Sequence, residues 1–170
     1  MDTPVSAINI EVNGVNYSIT NTNPKTSLNE WLRSQPGLKG TKVTCQEGGC
    51  GSCVVALTKP DLVTSKEKTI AVNSCLFSLF AADGFKITTT EGIGSSRSGY
   101  HPIQTRIAEY NGSQCGYCTP GMVMNMYSLL SENAQPTRQE IEDNFDGNIC
   151  RCTGYRPILD AMKSFAKDEN

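Results

Sequence analysis

The sequence predicts an α+β protein, a small sheet packed on one helix and followed by four short helices. Three observations carry that expectation. Ile8, Ile10 and Val12 alternate with Asn9 and Glu11, the pattern of a half-buried strand. Beyond residue 102 apolar residues recur at helical rather than strand spacing. The eight cysteines divide four and four between the two halves, so each half carries its own group of thiols.

Residues 1–7 read as a loose tail. A second alternating run, Val15, Tyr17 and Ile19 against Asn16, Ser18 and Thr20, follows Asn13-Gly14, a strong hairpin signal. Ser27-Leu28-Asn29-Glu30 forms a capping box at a helix start. Leu28, Trp31 and Leu32 give that helix its apolar stripe, and Pro36-Gly37 ends it. Val54–Thr58 and Thr69–Asn73 read as strands around a polar excursion, Lys59 to Lys68. Asp83-Gly84 turns the chain into a last strand, Phe85–Thr90. The first domain is therefore expected over residues 1–91, with a Gly/Ser-rich linker over 92–102.

Residues 103–170 read as a helical domain. Ile103, Ile107 and Tyr110 mark one helix. Thr119-Pro120 reads as an N-cap followed by proline at the first helical position. It opens a helix through Met122, Val123, Met126, Tyr127 and Leu130, apolar nearly all round and so buried. Thr137 to Glu140 is a second capping box, leading to Ile141 and Phe145. Ile158, Leu159, Met162 and Phe165 mark the fourth helix. Methionines 122, 124, 126 and 162 read as core filler.

A net charge of −2 argues against a nucleic-acid or anionic-membrane partner. The longest mostly apolar run, Cys75 to Ala82, falls well short of the ~18–20 residues of a membrane span. Met1-Asp2-Thr3-Pro4 shows no signal-peptide pattern, so the expected compartment is the cytoplasm, where thiols stay reduced.

Cys45, Cys50 and Cys53 are spaced Cys-x4-Cys-x2-Cys, with Gly48, Gly49 and Gly51 among them, and Cys75 follows after 21 intervening residues. Plant-type ferredoxins hold a 2Fe–2S cluster with this spacing. A loop of small residues can turn many backbone N–H groups toward the cluster's negative charge. Structural zinc, which also takes four thiolates, is the rival; disulfides fit a secreted chain better. The second set is Cys115, Cys118, Cys150 and Cys152. Each of its pairs precedes a predicted helix, whose N-terminus favours a bound anion. A Cys-x-Cys pair such as Cys150-Arg151-Cys152 is awkward for a single tetrahedral metal, but it can give both its sulfurs to one iron of a two-iron cluster. Arg151 and Arg156 either offset cluster charge or are simply solvated. His101, the only histidine, reads as structural, and it excludes a two-histidine ligand set within this chain.

Gln114-Cys115-Gly116-Tyr117-Cys118-Thr119-Pro120-Gly121-Met122 resembles the second iron–sulfur motif of the molybdenum hydroxylases, the xanthine dehydrogenase and aldehyde oxidase family. Gly147 to Ile158 and Thr90-Glu91-Gly92-Ile93-Gly94 are similar to the same family, and the doubled motif sets zinc aside. The resemblance covers essentially the whole chain. It implies a β-grasp ferredoxin-like domain joined to a small four-helix bundle domain, each with one 2Fe–2S cluster and no catalytic residue. It also implies that Gln114 bonds the molybdopterin cofactor and that Cys152 lies beside the pterin while ligating iron. FAD and molybdopterin domains of the same enzyme would be the partners, within a homodimer. Electrons would pass singly from the molybdenum centre to FAD. Gln46, where xanthine dehydrogenases tend to have glycine, and Leu28-Asn29 lean toward an aldehyde oxidase of insect type. The alternatives are a xanthine dehydrogenase region and a stand-alone two-cluster electron carrier.

Overall fold

The computed structural model of the chain describes residues 7–61 and 64–167. All but the last residue of the expected N-terminal tail lies outside the described residues.

β1 (Ile8–Val12) and β2 (Val15–Ile19) form the first hairpin, paired from Ile8 with Ile19 to Val12 with Val15. Asn13 and Gly14 both sit at positive φ, 51° and 81°, as a type I′ turn requires. Ile8, Ile10 and Val12 are buried. Val15 is not, because β2 is an edge strand that sends only Tyr17 and Ile19 against the core. β3 (Val54–Pro60), β4 (Glu67–Asn73) and β5 (Lys86–Thr88) complete a five-stranded sheet in the order β2-β1-β5-β3-β4. β1 and β5 are parallel and the other neighbours antiparallel.

α1 (Leu28–Ser34) lies on this sheet in the β-grasp arrangement, burying Leu28, Trp31 and Leu32 with Val55, Leu57 and Ile87. Its capping box is present: Glu30 N–H donates to Ser27 Oγ at 3.2 Å, and Ser27 N–H donates to Glu30 Oε2 at 2.9 Å. The polar excursion is shorter than expected, because β3 and β4 stay paired out to Pro60 and Glu67. A polar, two-stranded extension buries little, so composition alone hides it.

α3 (Pro102–Glu109), α4 (Thr119–Glu132), α5 (Arg138–Asn144) and α6 (Arg156–Lys163) are the four expected helices. Ile103, Ile107, Met122, Met126, Ile141, Ile158 and Met162 form their core. His101 has a structural role as N-cap of α3, its Nδ1 accepting from Ile103 N–H at 3.2 Å. That nitrogen must be unprotonated, and burial holds the imidazole below its ordinary pKa. The Thr119 cap is displaced by one residue. Cys118 is the N-cap, and Thr119 instead pairs its hydroxyl with that of Ser113 at 2.9 Å. Tyr110 ends α3 as a partly exposed C-cap rather than facing the core, and α6 stops before Phe165.

The start of the expected linker is a turn of helix, α2 (Thr90–Ile93). It ends the last strand early, because Thr89 N–H bonds Asn13 Oδ1 at 2.9 Å instead of continuing the sheet. Glu91 accepts from Gly40 N–H at 2.5 Å and from the Thr89 hydroxyl at 2.6 Å. A Cβ at Gly92 would lie 2.1 Å from Asn13 Oδ1, so only glycine lets the turn close on the hairpin. Glu91→Ala would leave the Gly40 donor unpaired and is expected to cost about 1–3 kcal/mol. A lowered urea midpoint is the readout, and an unchanged midpoint contradicts the assignment.

α4 has two partners. It packs on α3 and α5, and it also lies against β3 and β4. Met124 meets Val54 and Ala56 on the sheet side, which explains why this helix is apolar nearly all round. No helix among the described residues is long and apolar enough to cross a membrane.

Candidate metal centres

The loop 45–53 lies between α1 and β3. Gln46, Gly48 and Gly51 take φ of 58°, 76° and 69°, and such left-handed residues turn successive N–H groups inward. Those groups reach Cys45: the Glu47 N–H, the Cys50 thiol, and the N–H groups of Cys50 and Gly49 hold it down at about 7. Cys75 arrives because the β3–β4 hairpin pairs Val54 with Asn73. The Ser74 hydroxyl, at 2.6 Å from Cys53 O, fixes the join. Burial pushes Cys53 up to about 11, and the Cys75 thiol beside it adds to the rise. Asn73 ties the group together, facing Cys53 Sγ through Oδ1 and donating from Nδ2 to Gly48 O at 3.0 Å.

In the second group Cys118 begins α4, while Cys150 and Cys152 lie between α5 and α6. Burial pushes Cys118 up to about 12, helped by the adjacent Cys150 thiol. Burial also acts to raise Cys150, yet the Thr153 hydroxyl and the N–H groups of Thr153 and Cys152 outweigh it and lower the pKa. The exposed Cys152 is raised by its hydrogen bond to the Cys115 thiol.

Within each group, thiols distant in sequence lie next to one another. Cys45 meets Cys50 and Cys53 meets Cys75; Cys118 meets Cys150 and Cys115 meets Cys152. Cys150 is buried and Cys152 exposed, two positions apart on one tight loop, and the Cys152 N–H reaches the Cys150 sulfur. Among the described residues no three His, Cys, Asp or Glu side chains converge on one metal position. Four thiols beside inward-turned N–H groups fit an anionic 2Fe–2S cluster, which each group would hold through its sulfurs.

Gln114 is exposed beside Cys115. Arg151 is exposed at the rim of the second group, and Arg156 opens α6, where it helps Lys163 lower the Glu142 carboxyl. Thr153, Tyr155, Asn125 and Asn148 were not legible as site residues. Tyr155 Oη accepts the Cys150 N–H at 3.1 Å, a contact that no sequence spacing announces.

The lowered Cys45 predicts a reactivity order. In the cluster-free chain near neutral pH Cys45 carries far more thiolate than Cys53 or Cys118. Iodoacetamide followed by mass spectrometry is expected to label Cys45 well before those two, and the lead should shrink as pH rises toward 11. Earlier labelling of Cys118 would contradict it.

The two groups meet. Ile149 N–H donates to Cys50 O at 2.9 Å, and Tyr117 Oη donates to Val43 O at 2.6 Å. One cavity of about 210 Å³ is lined by Cys50 and Ser52 from the first loop and by Cys115, Cys118, Cys150 and Cys152 from the second.

Residues 10–78 match the family described as a 2Fe-2S iron-sulfur cluster binding domain, and residues 89–163 match a [2Fe-2S] binding domain. The solved structure of quinoline 2-oxidoreductase from Pseudomonas putida 86 is 33% identical, covering 95% of this chain and 92% of that one with a TM-score of 0.79. The chain belongs to the molybdenum hydroxylase family. Among other members, the aldehyde oxidoreductase from Desulfovibrio gigas is 36% identical with a TM-score of 0.80, over 94% of this chain and 16% of that one. The xanthine dehydrogenase/oxidase of Felis catus is 51% identical and the xanthine dehydrogenase of Calliphora vicina 50% identical, each over 92% of this chain. The chain spans about 12% of the length of these curated relatives. It carries the iron–sulfur region of a molybdenum hydroxylase, with two 2Fe–2S binding domains.

Proposed function

We propose that this chain relays electrons one at a time from a molybdopterin centre to FAD within a larger enzyme. The observation that carries the reading is the approach of the two thiol groups, with Cys50 of the first lining one small cavity alongside Cys115, Cys118, Cys150 and Cys152 of the second. Cys45, Cys50, Cys53 and Cys75 would hold one 2Fe–2S cluster, and Cys115, Cys118, Cys150 and Cys152 the other. Each cluster supplies a store for a single electron, at a potential set by nearby donors and burial. The protein's part is in the chain itself: N–H groups of Glu47, Gly49 and Cys50 on one side, and of Cys152 and Thr153 on the other, meet sulfur charge. Gln114 would bond the molybdopterin, with Cys152, exposed next to it, facing the pterin.

The division into residues 1–91, 92–102 and 103–170 is supported by separate cores on either side of α2. We place the enzyme in the cytoplasm as a homodimer joined to flavin and molybdenum domains. Aldehyde oxidation is the first reading of its activity. The residues behind that reading have structural roles: Leu28 is core, Asn29 bonds Ser74 Oγ at 3.0 Å, and Gln46 shapes the thiol loop. Purine hydroxylation is the second reading, favoured by 51% identity to a xanthine dehydrogenase/oxidase. Turnover of aldehydes against purines by the whole enzyme separates the two.

The electron-relay reading is tested on the chain itself. About four iron and four acid-labile sulfide per chain are expected, with two distinct paramagnetic resonance signals after dithionite reduction. Zinc without sulfide would end it.

A further inference from the structure

Between the two thiol groups lies a buried chain of amides that neither group needs for its own sulfurs. Asn125, on α4, is buried and donates from Nδ2 to Asn148 Oδ1 at 2.6 Å and to Asn144 O at 2.6 Å. Asn144 returns a bond to Asn125 Oδ1 at 3.0 Å. Asn148, itself buried, then donates from Nδ2 to Gly51 O at 3.2 Å, inside the first cysteine loop. Asn125 thus has both its donors and its acceptor engaged, which fixes the orientation of the Asn148 amide.

The contact at Gly51 is close from every side. A Cβ on Gly51 would lie 2.4 Å from Gly147 O, and a Cβ on Gly121 would lie 2.1 Å from Gly51 O. Backbone meets backbone here, so nothing can yield by rotating a side chain. One residue to either side stands the bond from Ile149 N–H to Cys50 O. Cys50 belongs to one thiol group, and Ile149 precedes Cys150 of the other. This hydrogen bond therefore links a cysteine of one group directly to the neighbour of a cysteine in the other, and Asn148 holds its register.

We infer that Asn148, oriented by Asn125, is a positioning residue that sets the electronic coupling between the two iron–sulfur sites. The inference rests on the electron-relay reading. Its device is the hydrogen bond donated by Asn148 Nδ2 to Gly51 O, which holds Cys50 O against Ile149 N–H. One electron lost at a reduced site is gained at the other, oxidised site; dithionite supplies that electron, and in excess a second that leaves both sites reduced. The coupling depends on the length of the link, so loosening Gly51 weakens it without removing a single sulfur ligand.

The test uses the full chain with both sites loaded. Fully reduced by dithionite, the unsubstituted chain is expected to show splitting of each resonance signal by the other, absent at half reduction. Asn148→Ala should narrow that splitting while iron and sulfide stay at the unsubstituted level. Gly121→Ala, which displaces Gly51 from the opposite side, should narrow it too, and it keeps the test open if Asn148→Ala fails to load. Glu132→Gln weakens a different tie between the same halves, the 2.6 Å bond from Thr69 N–H to Glu132 Oε1. It should leave the splitting unchanged even where it lowers the melting temperature. Unchanged splitting in both loaded Asn148 and Gly121 variants overturns the inference alone, as does equal narrowing in Glu132→Gln. An unsubstituted chain without sulfide overturns the relay reading instead.

Discussion

Cys118→Ser is expected to empty the helical half of iron while the other half stays loaded. Iron and acid-labile sulfide per chain should fall by about half, and one of two resonance signals should vanish. The expectation follows from where the sulfur sits. Cys118 is the thiol pushed up to about 12, mainly by burial and then by Cys150 at its side. Below that pH the cluster-free site holds the proton, and iron must displace it. A thiol yields it to a metal because the metal's charge inverts the local electrostatics. A serine hydroxyl is a far weaker acid in the same dry position, so the site would keep its proton and lose a ligand. Loading of the second site should therefore strengthen as pH rises and fail first on acidification. Metal binding here is also folding free energy. Because Cys118 caps α4, the melting transition of the helical half should fall with the lost metal. Retention of both signals in Cys118→Ser would show that this thiol is not a ligand.

Local chemistry made much of the molecule readable. Asn13-Gly14 and the capping boxes at Ser27 and Thr137 each state a short-range rule that the structure obeys. What escaped was set by partners far away in the chain. Thr90–Gly94 has a linker's composition, yet Glu91 is claimed by Gly40 and Thr89 by Asn13. The hydroxyl of Tyr155 reaches Cys150 N–H through the fold of one tight loop, and spacing carries no such direction. Asn125 and Asn148 looked like ordinary polar residues, because burial, the property that gives them their role, arises only when the halves close.

Met124→Ala should expose that closure most plainly. Met122, Met126 and Met162 lie in the helical core, but Met124, 1% exposed, packs on Val54 and Ala56 of the sheet. Truncation to alanine is expected to cost about 2–5 kcal/mol, the range for a large buried side chain whose cavity cannot collapse. Collapse is resisted here because β3 is braced by both its neighbours and α4 by α3 and α5. The same truncation at Met122 would cost a similar amount yet spare the contact between the halves. In calorimetry of the loaded chain, Met122→Ala should lower a single transition. Met124→Ala should lower it and divide it, since the buried apolar side chain that α4 packs on the sheet is gone. A Met124→Ala transition that stays single, with its midpoint unmoved, would mean the two halves are held by their hydrogen bonds, those of Asn148, Tyr117 and Ile149 among them, and not by this packing.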